Sequence, residues 1–96
     1  PAALKLVDLA SEDWESVDIA GQIQLEAGNV NGAAALFFKA MELAPAQAAP
    51  SLHMGILYLQ TNNPAAAHDY LSQAKSLDPE GPHGWQASRL LEQYFP

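Results

Sequence analysis

The side chains that could do chemistry here are three histidines, eleven carboxylates and a few hydroxyls. His53, His68 and His83 fall at equal intervals, each several helical turns from the next. Zinc needs ligands that converge, such as two histidines one helical turn apart or an HExxH motif, and this spacing offers neither. Asp8, Glu12, Asp13, Glu15 and Asp18 crowd one stretch. A calcium loop needs oxygen ligands at fixed intervals around a glycine turn. This cluster lacks that pattern and reads as solvated charge at a helix start. Ser51 or Ser88 could be grouped with His83 and an acid, but neither serine stands in the strand–turn–helix elbow that exposes a nucleophile. There is no cysteine, hence no thiolate chemistry, disulfide or cysteine metal site. The expectation is a protein without catalytic residues, metal or cofactor, whose work is recognition.

Composition narrows the partner. Four basic residues, Lys5, Lys39, Lys75 and Arg89, face eleven acidic ones, for a net charge of −7. Nucleic acid is recognised through clustered Lys and Arg on phosphates, and anionic lipid likewise, so both are excluded as expected partners. No apolar run approaches the roughly 18 residues that span a bilayer. The segment is expected to be a soluble domain, and a cytoplasmic or a periplasmic setting fits it equally. It begins at Pro1 rather than Met, as a fragment of a larger protein would.

The elements that must carry any binding surface emerge from an internal repeat. When the chain is laid over itself with position 14 on position 48, the stretch 14–47 falls on 48–81. Identities then appear at Gly21/Gly55, Leu25/Leu59, Asn29/Asn63, Ala33/Ala67, Ala40/Ala74, Leu43/Leu77 and Pro45/Pro79. Ile23/Leu57, Phe37/Leu71 and Ala20/Met54 are conservative matches. Small, apolar and turn residues repeat while charges do not, so the repeat concerns packing.

Helix signals fall in the same frame. Ser11 or Asp13 can cap a helix from Trp14 to about Ala27, and Gly28 supplies a left-handed stop. Asn29 caps a helix over about 30–44 that Pro45 closes. Pro50 suits a first turn, and the helix holding it runs to about Thr61, with Asn62 in the left-handed position. Asn63-Pro64 opens a helix that ends before Pro79, and Gly81-Pro82 opens a last one over about 83–95. Nothing reads as a strand, so the class is all-α. In the register of the repeat Leu9 falls on Leu43 and Leu77. Residues 1–10 are then either the tail of a second helix from a preceding repeat or an unrelated N-terminal helix. Residues 82–96 form an unpaired capping helix. Trp14 and Trp85 read as core or capping residues.

The pattern resembles the tetratricopeptide repeat, a helix–turn–helix of the same period with spaced Trp, Leu-Gly, Tyr, Ala, Phe, Ala and Pro positions. The second unit carries Met54-Gly55, Tyr58, Ala67, Leu71, Ala74 and Pro79. The first carries Gly21, Ala33, Phe37, Ala40 and Pro45, and departs from the pattern with Ala20 and Gln24. Trp85 begins a third unit whose glycine position holds Arg89. The resemblance implies a single domain over 1–96 with repeats at 14–47 and 48–81. It also implies a right-handed α-solenoid of antiparallel helix–turn–helix units.

In that family the first helix of each repeat lines a concave groove for peptides or helices. The resemblance carries this role to Asp18, Gln22 and Glu26, to Leu52, Ile56 and Leu59, and to His83, Gln86 and Leu90. Such a surface would suit an apolar protein segment bearing basic residues. A subset of the family clamps C-terminal carboxylates with a Lys/Asn/Asn/Lys/Arg set. The matching positions here hold Asp18, Gln22, His53, His83 and Ala87, and a carboxylate at the first of them would repel such a ligand. The other reading is a structural spacer, or a homo-oligomer joined through its own surfaces with no separate ligand.

Overall fold

A computed structural model describes residues 13–96. Residues 1–10, with the two readings of an N-terminal helix, lie outside the described residues. Five helices and no strand are present among those described: α1 (Trp14–Glu26), α2 (Val30–Leu43), α3 (Ala48–Gln60), α4 (Pro64–Leu77) and α5 (Pro82–Tyr94). The expected element boundaries agree closely, apart from a start of α3 slightly ahead of Pro50. The chain divides between Pro45 and Ala46 into two compact units. The first holds α1 and α2, and the second holds α3, α4 and α5.

In the first unit, Asp13 caps α1 by accepting from the Glu15 N–H at 3.1 Å and from Ser16 Oγ at 2.8 Å. The Ser16 hydroxyl, foremost, holds the Asp13 carboxyl below its ordinary pKa; desolvation opposes it and backbone N–H groups assist. At the other end Gly28 has φ 88°. Its N–H donates to Leu25 O at 3.0 Å and the Asn29 N–H donates to Gln24 O at 2.8 Å. These are the two bonds of a Schellman stop. Asn29 then turns to cap α2, its Oδ1 accepting from Gly32 N at 3.2 Å. The short link leaves α2 no course but back along α1, and Val17, Gly21, Ala33 and Phe37 are buried in the unit.

The second unit repeats this construction with different residues. Asn62 takes φ 60° where the first hairpin has Gly28. The Asn62 N–H donates to Leu59 O at 3.2 Å, and the Asn63 N–H to Tyr58 O at 2.8 Å. Asn63 is the N-cap of α4, yet its side chain makes no capping hydrogen bond, and Pro64 at the first helical position removes one N–H that would need a partner. Leu52, Leu71, Ala74, Ala48 and Ala87 form the core. Tyr58 and Tyr70 stack across α3 and α4 with centroids 5.7 Å apart and 15° between ring planes. Burial, with smaller contributions from Tyr58 and Asp69, raises the Tyr70 pKa above its ordinary value of 10.0.

The last helix is tied in by Asp78. This residue ends α4, and its Oδ2 accepts from the His83 N–H at 3.2 Å and the Gly84 N–H at 3.4 Å in the first turn of α5. One carboxylate therefore closes the loop and occupies the N–H-rich end of the next helix. Gly84 lies against the Asp78 carbonyl with no room for a β-carbon. Helix α5 packs on α4 and also touches α3.

Candidate protein-binding surface

The sequence places its candidate surface on the first helices of the repeats. On α1, Val17, Asp18 and Gly21 are buried. This places Asp18 on the packing side of the helix, one turn from Gly21. It is 3% exposed, and its Oδ2 accepts from Gln22 Nε2 at 3.3 Å. Of the three α1 residues that the resemblance assigns to a groove, Asp18 is the buried one. Gln22 is half-buried and Glu26 exposed.

On α3 the stripe Ala48, Leu52, Gly55 at helical spacing faces the core. Leu52 is 1% exposed and belongs to the cluster with Leu71, Ala74 and Ala87. It is a core residue. Ile56 and Leu59 are half-buried and pack on the edge of that cluster. On α5, Leu90 is half-buried against the same cluster, His83 is half-buried, and Gln86 is exposed. The second unit thus brings Ile56, Leu59 and Leu90 together around one core, with His83 and Gln86 on the neighbouring turns of α5.

Residues that chemistry would have needed are held elsewhere. Ser51 is buried and its Oγ has no hydrogen-bond partner, so no base activates it. His83 Nδ1 lies 4.0 Å from Asp78 Oδ2, within the loop that caps α5. The His68 ring sits edge-on to Phe95, with centroids 5.1 Å apart. Among the described residues no three His, Asp or Glu side chains are grouped as a metal would require. No helix among them is long and apolar enough to cross a membrane.

An exposed apolar set escapes the sequence reading. Trp85, expected in a core or capping role, is 59% exposed. The repeat register pairs Ile23 with Leu57 as a packing position, but Ile23 is 58% exposed while Leu57 is buried. Ile19 is 54% exposed. A helical wheel of α1 alone carries the signal: Ile19 and Ile23 stand with Glu15 and Glu26 opposite the Val17–Gly21 face.

The sequence model of the tetratricopeptide repeat family matches residues 24–92. No curated protein matches the chain. The family match runs from the end of α1 into α5, and it covers both left-handed stops, the buried alanines of the second helices and the Pro45 and Pro79 terminators. With paired helices, all of them α, in a register that sets Gly21 on Gly55 and Pro45 on Pro79, the chain belongs to the tetratricopeptide repeat family.

Proposed function

We propose that the protein is an interaction scaffold that binds a segment of another protein on the first helices of its repeats. Repeats of this family generally mediate protein–protein interaction and are typically non-enzymatic. The observation that supports the reading is the meeting of Ile56, Leu59 and Leu90 as half-buried aliphatics around one core in the second unit. Half-buried aliphatics on a rigid helical base can take up apolar side chains at little ordering cost, because their own positions are already fixed by packing. Gln86 and His83 add hydrogen-bonding capacity at the edge. On the first unit Gln22 and Glu26 offer an amide and a carboxylate, which favours a partner bearing Lys or Arg.

A display library of random peptides tests this. The expected winners carry apolar residues beside Lys or Arg. Ile56→Ala and Leu90→Ala, with helical circular dichroism retained, should each weaken the selected peptide about tenfold. Glu26→Lys should reduce the preference for basic residues. Selected peptides that bind equally well to all three variants would place the site elsewhere.

A further inference from the structure

We propose that the outer face of α5 docks on the outer face of α1 in a second copy of this chain, joining copies head to tail. Five large apolar side chains are substantially exposed among the described residues: Ile19, Ile23, Phe38, Trp85 and Tyr94. Three of the five fall on these two helix faces. Exposed apolar residues gathered in this way mark contact surfaces rather than ordinary scatter.

The two faces are complementary in charge. Trp85 and Arg89 are one turn apart on α5, beside a shallow hollow of about 480 Å³ lined by Pro82, Trp85, Gln86, Arg89, Leu90 and Gln93. Among the described residues no carboxylate lines that hollow, although the chain has eleven acidic residues against four basic ones. An aromatic ring beside an arginine is the composition in which binding energy concentrates at interfaces. The face it fits is apolar and acidic. Ile19 and Ile23 stand one turn apart on α1, with exposed Glu15 and Glu26 one turn before and after them. In the docked pair Trp85 covers the isoleucines while Arg89 reaches a glutamate. Each copy carries net charge −7, but at physiological salt the screening length is about 8 Å, so the local Arg–Glu attraction outweighs repulsion between distant charges.

The contact is heterologous, because one surface meets a different surface. Such contacts join copies into closed rings or open chains. Sedimentation velocity and light scattering of the 96-residue chain over a concentration series test it. The expected result is a mass that rises above that of the monomer as concentration increases. Arg89→Glu and, separately, Glu15→Lys should each weaken association about tenfold, with helical circular dichroism unchanged. Mixing these two variants should restore association, since the carboxylate introduced on α5 of one meets the lysine introduced on α1 of the other. Trp85→Ala should abolish association, and Glu15→Lys, which lies outside the proposed peptide surface, should leave selected peptides bound. A monomer at every concentration would overturn the proposal. So would an assembly indifferent to the charge exchange.

Discussion

A β-carbon on Gly55 would lie 2.6 Å from Leu71 Cδ2, and one on Gly21 would lie 2.6 Å from Phe37 Cε1. Gly55 follows Gly21 by one repeat, and Leu71 follows Phe37 by the same interval. In both hairpins the first helix therefore presents bare backbone to a large side chain on the second, and that close approach is the contact the repeat preserves. Phe37 and Leu71 are fully buried, so neither can swing aside. Gly55→Ala and Gly21→Ala should each destabilise the protein. Overpacking costs about 1–3 kcal/mol, offset by up to about 1 kcal/mol of improved helix propensity. The net loss, up to about 2 kcal/mol by that difference, should appear as a lower urea midpoint with unchanged slope. An unchanged midpoint would mean that the helices separate freely at these crossings.

Much of this packing was legible because it depends on local geometry that residue type reveals. A left-handed stop needs Gly or Asn, and Gly28 and Asn62 supply it. A small residue at a crossing must repeat with the hairpin, as Gly21 and Gly55 do. The surface was less legible. Position in the repeat assigns Asp18 and Leu52 to a groove, and burial of both was not to be read from it. Each stands one turn from a crossing glycine, at Gly21 and Gly55 respectively, which turns it inward. Trp85 misleads in the other direction, since a tryptophan at a repeat boundary suggests core, yet its side of α5 faces away from the buried Gly84 and Ala87.

Leu52 and Ile56 sit one turn apart on α3 and should behave differently. Leu52→Ala removes a buried side chain from the core of the second unit and should cost about 2–5 kcal/mol. Ile56 is half-buried, so Ile56→Ala should cost clearly less and act mainly on peptide binding. Thermal unfolding of the two variants separates them. Equal losses would return Leu52 to the surface set or move Ile56 into the core.

Asp78 should matter more as a cap than as a charge. Its Oδ2 serves two N–H groups of α5, while its approach to His83 Nδ1 is a loose 4.0 Å. Asp78→Ala should destabilise by about 1 kcal/mol, the usual cost of a lost helix cap. Asp78→Asn keeps an acceptor oxygen and should recover most of that loss. The effect should be local, so amide hydrogen exchange ought to quicken in the first turn of α5 before it quickens in α3 or α4. If the asparagine variant is as weak as the alanine one, the negative charge rather than the acceptor holds the helix.

Asp13 provides the pH test at the opposite end of the described chain. Its carboxylate accepts from Ser16 Oγ at 2.8 Å and from the Glu15 N–H at 3.1 Å, and its pKa is held below the ordinary value of 3.8. A carboxyl with a lowered pKa in the folded state stabilises the fold at pH values above its unfolded pKa. That contribution fades as pH falls from the unfolded value through the folded one, because protonation removes the charged acceptor. Ser16→Ala removes the largest cause of the shift, so a carbon-detected NMR titration should find the Asp13 pKa moved back up towards 3.8. Acid fraying of the first turn of α1 should then begin at higher pH than in the parent protein. Identical titration curves for the two proteins would show that the backbone N–H groups alone account for the lowered value.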